Sequence, residues 1–249
     1  MIATLQYYSK TFKVDLSKPL DISIPLRASK DNVNAWYLSE PSIEAVKTEG
    51  WVGKVSAGAS VNFNTIAFNP HAHGTHTECI GHITKDFHSV NKNLKQFFFL
   101  AEVITVAPEM HNGDFVIAKK QVETVLDNKR RDAIVLRTLP NTKDKLSRQY
   151  SNTNPPYLLE ETAIYLREKG IKHLLIDVPS VDKERDEGKL LAHKAFWDFN
   201  GKIRKDCTIT ELVYVPNKIK DGVFLLNLQI APFENDATPS KPVLYKIMD

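Results

Sequence analysis

Residues 69–82 read NPHAHGTHTECIGH and gather four of the chain's eight histidines, a glutamate and a cysteine into one short segment. Imidazole nitrogen and carboxylate oxygen together suit Zn²⁺, Mn²⁺ or Fe²⁺. On an extended backbone, side chains two residues apart share a face, so His76 and Glu78 are expected to offer two ligand atoms to one ion. An unperturbed imidazole titrates at about 6.5, which suits the nearby His82 to carrying a proton rather than holding metal. A polar, tag-like accident is the competing reading, but a tag sits at a terminus and lacks the Gly74-Thr75 turn between the histidines. Cys79 lies between Glu78 and Ile80, so alternation turns it away from the ligands and makes it a packing residue. His88, His111 and His173 stand outside any motif and read as ordinary polar residues.

The elements that must position this segment begin with a strand predicted over 61–68, whose end delivers the chain into the histidines. Upstream, 20–26 alternates apolar and polar residues as a half-buried strand does, 32–37 reads as a loop presenting Trp36, and 53–58 as a turn-rich connector. From residue 97 the pattern becomes α/β. Buried strands are expected over 98–106 and 133–138, a helix over 119–128 with Val122, Val125 and Leu126 at helical spacing, and a polar loop over 139–156. A helix over 158–169 stopped by Gly170 precedes a strand over 171–177, and two more strands are expected over 209–214 and 222–230.

With 249 residues, of which 42% are hydrophobic, the chain can bury one sizeable core and reads as a single domain over 1–249. Its 33 basic and 30 acidic residues are mixed along the length, and Asp127 and Asp132 flank the densest basic run, Lys129-Arg130-Arg131. No concentrated field for phosphates results, so nucleic acid is not an expected partner. Two cysteines and no CxxC pair exclude a disulfide framework and fit a reducing compartment. The N-terminal stretch lacks the pattern of a secretory leader, and no apolar run reaches the roughly eighteen residues that span a bilayer. A soluble, cytoplasmic protein without a membrane partner is the expectation.

Gly74, Thr75, His76 and His82 match in identity and spacing an HxGTHxDxPxH signature. The segment thus resembles the cyclase-like metal-dependent hydrolases, the family of bacterial kynurenine formamidase (arylformamidase) and isatin hydrolase. Ala72 stands at the first histidine position, Glu78 at the aspartate and Ile80 at the proline. His71 and His73 bracket Ala72, so a one-residue bulge or a shifted loop can bring either imidazole into the ligand position. Glutamate keeps the charge and both oxygens, while its extra methylene moves the carboxylate by about an ångström. The resemblance runs from Asp21 to about Leu228: Asp21-Ile22-Ser23 is similar to the opening strand, and Trp36 is comparable to a substrate-facing tryptophan. Residues 132–138 are similar to a DAxLIRT strand, 176–182 to a GIDTPSVD segment, and His193 and Glu211 to a ligand histidine and a bridging glutamate.

The resemblance implies an α/β chain with a mixed sheet in the swivelling β/β/α cyclase-like fold, assembled as a homodimer or homotetramer. It implies a metal-dependent amidohydrolase, arylformamidase-like, cleaving a carbon-nitrogen bond of a small aryl formamide, amide or cyclic amide. One or two divalent ions, Zn or Mn, would be held by His76, Glu78, His193, Glu211 and one of His71 or His73. His82 would serve as acid and base, and Trp36 would offer its face to an aryl ring. Asp177 and Asp182, beside a Pro-Ser turn, are expected to cap backbone and shape the site. Two other readings compete: a ligand-binding protein that lost its chemistry with Ala72, and a metal-dependent lyase or dehydratase, since a cation and a histidine also drive β-elimination.

Overall fold

Strands that are apolar on both faces must be covered on both, and here they lie between a layer of helices and the interior of a barrel. The computed structural model describes residues 1–248, and within them seven strands close a mixed barrel. Numbered along the chain these are β1 (His76–Glu78), β2 (Phe98–Val106), β3 (Ala133–Thr138), β4 (His173–Ile176), β5 (Thr208–Glu211), β6 (Gly222–Ile230) and β7 (Ala237–Met248). Strands β2, β3, β4 and β5 run parallel side by side. Antiparallel pairing of β6 with β2, β7 with β6, and β1 with both β7 and β5 completes the ring. Parallel neighbours need crossover connections, and these hold α1 (Lys119–Leu126), α2 (Glu160–Glu168) and α3 (Leu191–Trp197).

Alternation along the parallel strands divides the core in two. Ile134, Leu136, Leu174 and Ile176 cluster with Val122, Leu126, Leu166, Phe196 and Trp197 of the helices. Their neighbours Ala133, Val135 and Leu175 turn inward to Val103, Leu226 and Leu244. Each fully buried aliphatic side chain contributes about 1.5–3 kcal/mol, so the two layers together hold the strand ends in place. The predicted mixed α/β architecture is the one observed, and β2, β3 and β6 have the bounds read from the sequence.

Other elements differ from expectation. The strand over 20–26 shrinks to Leu20–Asp21 and a single bridge from Ser23 to Val213, because Pro25 has no N–H to donate. The strand over 209–214 stops at Glu211, where Leu212 turns the chain with a φ of 53°. The segment over 61–68 is a strand only at Asn64–Ala67, exposed throughout and paired with Ser42–Ala45 in a two-stranded arm. Strand β7 was hidden in the sequence by Pro239 and Pro242, and α3 by its length of seven residues. No helix among the described residues is long and apolar enough to cross a membrane.

The polar loop over 139–156 is tied down by one buried ion pair. Lys145, only 2% exposed, donates to Asp177 Oδ2 at 2.7 Å, to the Thr138 carbonyl at 2.7 Å and to Thr138 Oγ1 at 2.9 Å. Asp177 also accepts the Thr138 backbone N–H at 2.9 Å. Lys145→Ala strands this carboxylate without its cation and is expected to lower unfolding free energy by about 3–5 kcal/mol, read by urea denaturation.

Deep beneath the opposite end of β4, His173 shares a 2.9 Å hydrogen bond with Thr208 Oγ1 and lies against the Phe99 ring. Burial, aided by the Lys172 charge, brings its imidazole down to about 3. The unfolded chain therefore binds the extra proton first, and this stabilisation is complete above about pH 6.5 and lost as pH falls toward 3. The expected slope is about 1.4 kcal/mol per pH unit within that window. His173→Gln, which does not titrate there, should show a shallower pH dependence of urea midpoints; an unchanged slope would refute the assignment.

Candidate metal centre

Strand β1 carries His76 and Glu78 to one side while Thr77, between them, hydrogen-bonds Thr210 Oγ1 at 2.8 Å on the other. Its register sets Glu211 opposite His76 across β5, and Ala237 opposite Glu78 across β7. Thr75 anchors the approach: its hydroxyl accepts the Ile24 N–H at 2.7 Å and donates to the Leu212 carbonyl. A side chain at Gly74 would crowd the Ile24 carbonyl, which accounts for a Gly-Thr pair just ahead of the strand.

Each further group reaches the centre by its own device. Glu211 Oε1 accepts the Val181 N–H at 2.9 Å, which leaves Oε2 directed at His76 Nε2, 3.4 Å away. Asp182 caps α3, accepting the Ala192 and His193 backbone N–H groups and the His193 Nδ1 proton at 2.6 Å. That bond turns His193 Nε2 toward Glu78 Oε1 at 3.1 Å. His82 sits on a 3₁₀ turn, Ile80–Ile83, where the His88 carbonyl passes so close to Gly81 that no Cβ fits.

His71 and His73, left as alternatives by the sequence, part company. A turn in which Ala72 and His73 N–H groups both donate to the Asn69 carbonyl rotates them apart. His71 Nδ1 faces Glu78 Oε2 at 3.2 Å and its Nε2 donates to Asp236 Oδ2 at 3.0 Å. His73 lies outside the cluster: its Nδ1 accepts from the Asn69 N–H at 2.8 Å and its Nε2 donates to the Ser39 carbonyl at 2.9 Å. Both of its nitrogens are thus occupied, so neither is left for a cation. Trp36, with a φ of 59°, donates its indole N–H to the His71 carbonyl at 3.1 Å and lines the cavity above the cluster. That cavity measures about 430 Å³, with Trp36, Leu38 and Leu190 around it and His71, His82 and His193 at its base.

The hydrogen-bond partners dictate the tautomers. His76 Nδ1 donates to the Gly74 carbonyl at 3.1 Å, so its Nε2 lone pair, fully buried and without a partner, faces a carboxylate. Glu78 Oε2 is likewise buried without a hydrogen bond. Acceptors facing acceptors away from water are costly unless a proton or a cation stands between them. Protons answer for His71 and His193: burial opposes their charge, but Asp236 and Glu78 carry His71 up to about 10, and Asp182 and Glu78 raise His193. Burial pushes Glu78 upward, yet the His82, His193 and His71 rings hold it well below the usual carboxylate range. A divalent cation answers for all of them at once. Donor atoms within 4.8 Å of one another occur in the sets His71, His76, Glu78 and Glu78, His82, His193, which share Glu78, and in the set His71, His82, Asp236 beside them. The residues present therefore fit a cation.

A family model described as “Putative cyclase” matches residues 14–183, more than half of the chain. The chain belongs to the Cyclase family. Kynurenine formamidase of Bacillus mycoides (strain KBAB4) is 28% identical over 237 residues, which cover 93% of this chain and 99% of that protein. A “predicted metal-dependent hydrolase” from Bacillus stearothermophilus superposes with a TM-score of 0.64 at 16% identity, over 92% of this chain and 98% of the other. An isatin hydrolase bound to the product analogue thioisatinate gives 0.65 at 14% identity, over 93% of each chain. These two structures speak to the fold. The matched segment holds β1 and Asp182, whereas His193, Glu211 and Asp236 lie beyond it and join the centre through the barrel.

Asp236 is the member that sequence reasoning missed. It carries no motif and enters only because β7 pairs with β1. His76→Ala is expected to lose most bound zinc after dialysis, as judged by elemental analysis, while His73→Asn keeps it. Equal retention by both would remove His76 from the ligand set.

Proposed function

We propose that this member of the Cyclase family is a metal-dependent hydrolase of a carbon-nitrogen bond in a small aryl formamide, amide or cyclic amide. The observation that carries the reading is a fully buried glutamate ringed by three imidazoles that line a cavity edged by a tryptophan. His71 Nδ1, His76 Nε2, His193 Nε2, Glu78 and Glu211 would hold one or two ions, and mixed nitrogen and oxygen donors accept zinc and manganese alike. When bound, such an ion lowers the pKa of water toward neutrality and polarises a carbonyl.

The chain's own residues supply the rest. His82 is the most solvent-facing ring of the cluster and lines the cavity, with Nδ1 3.3 Å from Asp236 and Nε2 3.8 Å from Glu78 Oε2. Amide nitrogen leaves poorly as an anion, so a group that takes a proton from water and returns it to nitrogen is required. His82 has the position for both transfers. The indole of Trp36, held by its N–H, gives an aryl group a fixed apolar face at low entropic cost. Relatives named kynurenine formamidase and isatin hydrolase support a substrate with an aryl ring beside an amide. The ligand-binding alternative rests on Ala72, and the proximity of His71 to Glu78 supports the enzyme reading over it.

The test is a screen of N-formylkynurenine, isatin and simple aryl formamides with zinc- or manganese-loaded protein. Hydrolysis abolished by chelator and restored by metal supports the reading, and an unsaturated product formed without water consumption would turn it toward a lyase. His82→Ala is expected to lower kcat by about 10² or more with metal content intact; loss of the metal in that variant would recast His82 as a ligand.

A further inference from the structure

A single carboxylate oxygen joins two of the rings that face Glu78, both of which line the cavity. Asp236 Oδ2 lies 3.0 Å from His71 Nε2 and 3.3 Å from His82 Nδ1. The two rings stack at a centroid distance of 4.3 Å and an interplanar angle of 30°. From this we infer that Asp236 is a positioning residue for both histidines, aiming His71 Nδ1 and His82 Nε2 toward Glu78. The inference rests on the hydrolase reading only for the role of His82; its bearing on His71 concerns metal affinity alone.

The backbone around Asp236 is built for that task. The Asp236 carbonyl accepts the Cys79 N–H at 3.0 Å, one residue past the pairing of Ala237 with Glu78, so barrel closure fixes the height at which the carboxylate arrives. The preceding Asn235 carbonyl accepts the Val90 N–H at 2.9 Å, and the Asn235 side chain donates to the Ala237 carbonyl at 2.9 Å. Asp236 is therefore held from both sides while its side chain faces only the two imidazoles among its hydrogen-bond partners. With an N–H donated to the carboxylate, each ring keeps its other nitrogen as an acceptor, which a ligand and a proton acceptor both require.

Asp236→Ala is expected to weaken zinc binding to the metal-free protein by roughly 10- to 100-fold, the range for losing a carboxylate that orients a metal-binding histidine. A chromophoric chelator competing for the ion reads this without any substrate. In zinc-saturated protein, kcat for the best substrate of the screen should fall about as far, with KM moved less than about threefold, since a misaimed His82 slows proton transfer rather than binding. Asp236→Asn keeps an acceptor oxygen of the same reach and should recover most of both losses. Unchanged affinity and unchanged kcat in Asp236→Ala would overturn the inference, as would an Asn variant no better than Ala. A drop in the number of ions bound, rather than in their affinity, would overturn it in favour of Asp236 as a ligand. If the unaltered protein hydrolyses none of the substrates, the hydrolase reading fails while the chelator competition still decides the role of Asp236 toward His71.

Discussion

A carboxylate wholly withdrawn from water persists only where positive charge or hydrogen-bond donors replace its hydration. Glu78 is such a group, and the surrounding architecture is organised around that requirement. His71, His82 and His193 approach its two oxygens at 3.2, 3.8 and 3.1 Å, and each comes from a different element. Strand β1, which bears Glu78, is three residues long and far too short to be stable by itself. It persists because β5 and β7 pair with it on both sides, so the ring closure of the barrel and the burial of Glu78 are one event.

Backbone conformations around the centre carry the cost of this convergence. Trp36, Leu190 and Leu212 all adopt positive φ, which disfavours a side-chain-bearing residue by about 1–2 kcal/mol each. Each such residue adjoins a functional group: Leu212 follows Glu211, Leu190 precedes the helix that bears His193, and Trp36 edges the cavity. The compensating bonds are specific. Leu212 donates its N–H to the Val178 carbonyl and accepts from Thr75, and Tyr37, beside Trp36, is clamped by Ser151 and Glu184. The two apolar layers that hold the parallel strands give these strained turns a rigid base.

Departures from the family signature find a physical account in the same place. The histidine lost at Ala72 has a neighbour, His71, that a turn at Asn69 swings toward Glu78, while Ala72 itself is fully buried. The longer reach of glutamate over aspartate is accommodated where imidazoles stand on more than one side of it. Strands with continuous apolar character were legible because burial on two faces leaves a plain compositional mark, and so β2, β3 and β6 were read with their observed bounds. Alternation misled at 61–68, where the strand is exposed on an arm, and prolines concealed β7.

By itself the sequence determined the local chemistry: donors spaced two apart on an extended segment, a glycine and threonine ahead of them, and a histidine four residues beyond Glu78. Such spacing acts through covalent geometry and needs no fold to be read. Only the tertiary structure placed His71 rather than His73 beside Glu78, brought His193 to Glu78 and Glu211 to His76, and introduced Asp236 from 154 positions past His82. Those contacts depend on strand register around a closed barrel and on the rotation of a single turn. Both are set by the sum of pairings across the whole chain, a sum that no short stretch of residues contains.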